Sequence, residues 1–82
     1  MPDYFLAEHF AGKLGLPQEE LAGFEARGVI RRVVKNERRY YSSRDLYRLK
    51  AVLHLINDEG LSLEKARSGV DAAARLVGVI GQ

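Results

Sequence analysis

Apolar residues change their spacing along this chain, and each change marks an element. Near the start, Phe5 or Leu6, His9, Phe10, Lys13 and Leu14 recur at helical intervals, with Gly15 placed as a C-terminal cap. That spacing predicts a first helix of about eight residues, with Tyr4 and Phe5 leading into it. Pro17 suits a first helical turn, and Glu19 and Glu20 suit its positive end. A second helix is therefore predicted over 17–27, with Leu21, Phe24 and either Ala22 or Ala26 on its apolar face and Gly28 as its stop. Gly15 and Leu16 make a tight connection between the two helices.

The spacing then shortens. Val29, Ile30, Val33 and Val34 are β-branched, and residues 38–41 follow after Lys35, Asn36 and Glu37, which reads as a two-stranded hairpin over 29–41 with a short basic tip. Helical spacing returns with Leu46, Leu49, Val52 or Leu53 and Ile56, predicting a third helix over 43–58 in which Ser42 and Asp45 form a capping box. Gly60 ends it, Leu61 tucks into the core, and Ser62 caps a fourth helix whose stripe is Leu63, Ala66, Val70, Ala73 and Val77. The predicted fold class is mostly α with a small β-hairpin, in the order helix-helix-hairpin-helix-helix.

A chain of 82 residues allows one domain with one small core and little room for an enclosed active site. We assign that domain to residues 1–77 and expect a flexible tail over 78–82, where Gly78 and Gly81 favour fraying. No stretch approaches the roughly 20 apolar residues that span a bilayer, so no membrane partner is expected. The first residues lack the basic start and apolar run of a secretory signal, and there is no cysteine, which together suggest a cytoplasmic protein.

Charge changes the picture most. Nine Lys and Arg lie between Arg27 and Lys50 against only Glu37 and Asp45, although the whole chain carries just +2. A positive stripe confined to one stretch of a small domain is the footprint of a polyanion-binding surface, most simply for nucleic-acid phosphates, and a solvated basic surface is the plain alternative. His9 and His54 sit beside apolar positions without a cluster of acids or cysteines, so no metal and no other cofactor is expected. Ser42 and Ser43 have the character of cap residues rather than nucleophiles. No grouping of nucleophile, base and orienting group can be drawn, so the chain is not expected to be an enzyme.

Two short helices joined through a glycine and followed by a basic hairpin form a winged helix-turn-helix. At this point the sequence resembles the DNA-binding domain of the MerR family of bacterial transcription regulators, over about residues 4–70. The resemblance begins with the aromatic and aliphatic run from Tyr4 to Leu6, then Ala11, Leu14, Gly15 and Leu16, and continues through Phe24, Glu25, Gly28, Val29 and Ile30. The family's wing closes with Arg, any residue, Tyr, Ser, two residues, Asp and Leu, matched by Arg39, Tyr41, Ser42, Asp45 and Leu46. Its downstream Gly, aliphatic, Ser, Leu and Glu run is matched by Gly60, Leu61, Ser62, Leu63 and Glu64.

The resemblance implies a regulator that contacts double-stranded DNA, and together with the basic stretch it gives Gln18, Arg31, Arg32, Lys35, Arg38, Arg39, Tyr41 and Arg44 as the candidate contacts. Arg39 and Tyr41 match the family's nucleic-acid-contacting wing positions. Tyr40 and Tyr41 alternate faces in a strand, so one points inward and the other outward. Arg48 lies one turn from Arg44 and pairs with Asp45 or lies in solvent. Family members also dimerise, so a homodimer on a two-fold site is implied. The sequence departs from the family in the second helix, where the contacting Arg and Tyr are replaced by Ala22 and Gly23. That departure supports an alternative with a protein partner: an adaptor such as the MerR-like modulators of DnaJ-type co-chaperones, which keeps the scaffold without base readout.

Overall fold

A computed structural model describes the backbone of residues 3–80 and the side chains of residues 3–73. The elements are β1 (Tyr4–Leu6), α1 (Ala7–Leu14), a 3-10 turn (Gln18–Glu20) running into α2 (Leu21–Ala26), β2 (Val33–Lys35), β3 (Arg38–Ser42), α3 (Ser43–Glu59) and α4 (Leu63–Ile80). Contacts divide the chain between Leu49 and Lys50 into two compact units.

The first unit is a winged helix-turn-helix. On α1 the inward positions are Ala7, Phe10 and Ala11, while His9 and Lys13 are exposed. This face is rotated from the one expected because Phe5 and Leu6 lie in a strand and do not set the helix phase. Both α1 and α2 end on a glycine in the left-handed region, Gly15 at φ 69° and Gly28 at φ 74°. In each case the glycine N–H reaches back three residues and the next N–H five, as in Gly28 to the Glu25 carbonyl and Val29 to the Phe24 carbonyl, both 3.0 Å. These paired bonds satisfy carbonyls that the helix end would otherwise leave open, and only glycine adopts that φ without steric cost. The second helix is not regular from residue 17: Pro17 is extended, and a tight 3-10 turn precedes α2.

The expected hairpin is part of a three-stranded sheet in the order β1-β3-β2, all antiparallel. Its first strand starts later than predicted, while the second begins at Arg38 as expected. Val29 and Ile30 are buried but precede β2, so their branched side chains fill the core of the unit rather than a ladder. Asn36 and Glu37 form the two-residue tip with φ 52° and 64°, the double left-handed geometry that matches the twist of paired strands. Tyr41 is fully buried against Phe10, with ring centroids 4.7 Å apart and planes tilted by 32°. Leu21, Val29, Ile30, Leu46 and Leu49 are buried in the same unit.

Ser42 Oγ accepts the Asp45 N–H at 3.0 Å, one half of the expected capping box. The Asp45 carboxylate does not return the bond: it accepts the Arg31 N–H at 2.9 Å and so ties the segment before β2 to the start of α3. In the second unit Val52 and Ala66 are fully buried, Ser62 Oγ caps α4 by accepting the Lys65 N–H at 3.2 Å, and Leu61 N–H bonds the Leu55 carbonyl at 3.2 Å. Ala66 holds the expected stripe of α4, with Leu63 and Val70 half-buried and Ala73 exposed. Val77 lies outside the described side chains. The helix reaches Ile80, and residues 81 and 82 of the expected tail lie outside the described residues.

Candidate nucleic-acid interface

β3 determines which charged groups meet. Residues directly opposite each other in a sheet share a face, so Phe5 goes with Tyr41, and Tyr4, Leu6, Tyr40 and Val33 go to the other side. The expectation that Tyr41 contacts nucleic acid is corrected here: the residue is 0% exposed and belongs to the core, while Tyr40 points to the other face. Burial first, and the Glu25 carboxylate second, push the Tyr41 phenol from its ordinary 10.0 up to about 12. Its hydroxyl is buried without a well-formed hydrogen bond.

The cations fall into two groups. Arg38 and Arg39 lie with Gln18 around a groove of about 340 Å³ whose other wall is Leu6, Ala7 and Glu8. This brings the wing beside the turn that opens the second helix of the helix-turn-helix. Arg31, Arg32 and Arg44 instead line a larger groove of about 710 Å³ with Asp3, Tyr4, Val33 and residues 42–45. The expected single surface is therefore divided among separate grooves, and Lys35 belongs to neither of these two, lining a third with Tyr4, Val33, Asn36 and Tyr40.

Self-pairing removes little of this charge. Arg32 Nε lies 3.4 Å from Glu25 Oε1, a pair whose Arg side chain remains 48% exposed. Arg31, Lys35, Arg38, Arg39 and Arg44 are exposed, and their side chains form no ion pair with a described residue. Lys13 stands over the Phe5 ring, 5.1 Å from its centroid.

The turn and α2 present a different surface. Gln18, Glu19, Glu20, Ala22 and Gly23 are all exposed, so this face is acidic and then small. His54 on α3 pairs with Asp58, and no group of three or more His, Cys, Asp or Glu among the described residues could hold a metal ion. Sequence reasoning missed the part played by Glu25, which faces Arg32 and Tyr41 at once. Its signal in the sequence was its place beside Phe24 in the run that carries the family resemblance.

The model of one protein family, described as MerR HTH family regulatory protein, matches residues 7–79. Comparison with curated proteins and with solved structures finds no match.

Proposed function

Because this chain belongs to the MerR HTH family of regulatory proteins, we propose that it binds double-stranded DNA as a regulator of transcription, holding the duplex chiefly by its phosphates. The observation that carries this reading is the joint groove of Gln18, Arg38 and Arg39, where two exposed guanidinium groups without ion pairs stand beside the helix-turn-helix. Guanidinium forks match phosphate oxygens, and such contacts fix register on the duplex without reading sequence. Lys35 lies opposite Arg38 in the hairpin ladder and extends the same cationic tip. Such a regulator acts in the cytoplasm, beside the chromosome, and a homodimer on a two-fold site is part of the reading.

Fluorescence anisotropy with a pool of random duplexes at several ionic strengths tests it. If Lys35, Arg38 and Arg39 carry the contact, log K falls against log salt with a slope of about −2.7; engagement of Arg31, Arg32 and Arg44 as well steepens it to about −5.4. Arg39→Glu weakens binding to all sequences alike, and Gln18→Ala shifts any sequence preference. Absence of duplex binding at low salt refutes the proposal.

One observation favours a second reading, a protein-binding adaptor: the exposed acids Glu19 and Glu20 precede exposed Ala22 and Gly23, a face suited to a basic partner surface. A pull-down treated with nuclease separates the two, since only an adaptor keeps its partner through Glu19 and Glu20 after the nucleic acid is gone.

A further inference from the structure

We propose that the sheet face turned away from the core, with the cationic groove beside it, is a second binding site that takes the unpaired bases of single-stranded nucleic acid. Tyr4, Tyr40 and Val33 share this face by register, opposite the side that buries Tyr41. Two of them are left open to an unusual degree for such residues, Tyr4 at 49% and Val33 at 39% exposure. Together with Lys35 and Asn36 they line a groove of about 450 Å³ to which no acidic residue contributes.

The neighbouring groove of about 710 Å³ shares the walls Tyr4 and Val33 and continues toward Arg31, Arg32 and Arg44. Its two acids weigh less than its cations. Asp45 is engaged by the Arg31 N–H, and Asp3 is a single carboxylate against three guanidinium groups. Aromatic and apolar surface thus opens directly onto positive charge. The ligand that fits carries planar apolar groups and negative charges in close alternation, and each nucleotide of an unpaired strand supplies one of each. A duplex does not fit this face, because its bases are stacked on one another and unavailable to Tyr4. Lys35, Arg31, Arg32 and Arg44 are cations that the duplex reading can also use, but Tyr4, Tyr40 and Val33 have no part in it, so substitutions at Tyr4 read single-strand binding apart from duplex binding.

The test uses the whole chain and three labelled probes at low salt: an oligothymidylate of about a dozen nucleotides, an abasic strand with the same number of phosphates, and a duplex. We expect the oligothymidylate to bind and the abasic strand to bind at least several-fold more weakly. Tyr4→Ala should weaken oligothymidylate binding roughly 5- to 150-fold, the range for losing one stacked base, while Tyr4→Phe retains it and neither variant changes duplex binding. Circular dichroism of Tyr4→Ala checks that the fold is kept, and if it is not, the comparison of abasic and thymidylate strands on the parent chain, which needs no substitution, still decides the inference.

Equal affinity for the abasic and thymidylate strands shows charge without stacking and overturns the inference. So does oligothymidylate binding that ignores Tyr4→Phe and Tyr4→Ala alike. If duplex binds and oligothymidylate does not, this inference fails while the duplex reading survives, and the reverse result separates them the other way. An acidic, aromatic peptide that binds through Tyr4 where oligothymidylate does not would assign the face to a protein partner and also overturns the proposal.

Discussion

Replacing Tyr41 by Phe separates a structural tyrosine from a contacting one. The ring is fully buried on Phe10, so Tyr41→Phe keeps the stacked pair and removes only the hydroxyl. That hydroxyl is buried without a well-formed hydrogen bond, and leaving a polar group in that condition costs about 1–3 kcal/mol. The substitution should therefore leave stability at pH 7 unchanged or raise it by about 1 kcal/mol, whereas Tyr41→Ala should cost about 3–5 kcal/mol through the lost ring.

Alkaline pH gives an independent signature. The folded phenol holds its proton up to about 12 while the unfolded one releases it near 10.0, so the stability it confers is complete below 10 and is lost as pH rises through 12. Two pK units correspond to about 2.7 kcal/mol, and Tyr41→Phe should abolish that loss. Urea unfolding from pH 8 upward, followed by circular dichroism, measures both effects, and anisotropy on duplex DNA should show affinity within about twofold of the parent. A variant that unfolds normally but binds duplex ten-fold more weakly would refute the assignment of Tyr41 to the core.

Other substitutions probe the helix and the wing separately. Gly23→Ala should stabilise the fold by about 1 kcal/mol in thermal unfolding, because a Cβ there meets nothing within 4 Å and glycine is a poor helix former. Glu37→Gly should stabilise the wing tip by about 1 kcal/mol, since Glu37 holds φ 64° against its Cβ; denaturant titration reads it out, and a destabilised variant would deny that this φ is strained.

The parts of the fold legible in the sequence are those decided locally. Gly15 and Gly28 stop their helices by their own backbone freedom, Ser42 and Ser62 cap by bonds to N–H groups three residues on, and the predicted third helix over 43–58 differs from α3 by one residue. β1 was not legible because Tyr4–Leu6 is a strand only through its pairing with Tyr40 to Ser42, while Phe5 and Leu6 also fit the helical spacing of His9 and Phe10. The two adjacent tyrosines show the same limit. Alternation requires one inside and one outside, and only the Phe5 to Tyr41 register decides which. Total charge in the basic stretch could be read directly, but its division into separate grooves depends on which distant residues the fold brings beside each cation, such as Gln18 beside Arg38 and Arg39 or Asp3 beside Arg31.

The surface of α2 bears on how selective a DNA-binding reading can be. Ala22 and Gly23 are exposed yet too short to reach a base edge, and Glu19 and Glu20 ahead of them oppose phosphate. Affinity would then come from wing cations, which carry no sequence information, so preference for one duplex over random duplexes should fall near or below the roughly 10³-fold that marks the weak end of specific binders. Extending these side chains tests the reasoning directly. Ala22→Arg combined with Gly23→Tyr places reach where the structure leaves open space, and should raise duplex affinity and steepen the salt dependence by about 0.9 for the added cation. Competition against random duplex measures the change in selectivity. An unmodified chain that already discriminates by far more than 10³-fold would show that bases are read elsewhere, and the wing-centred account of this surface would be wrong.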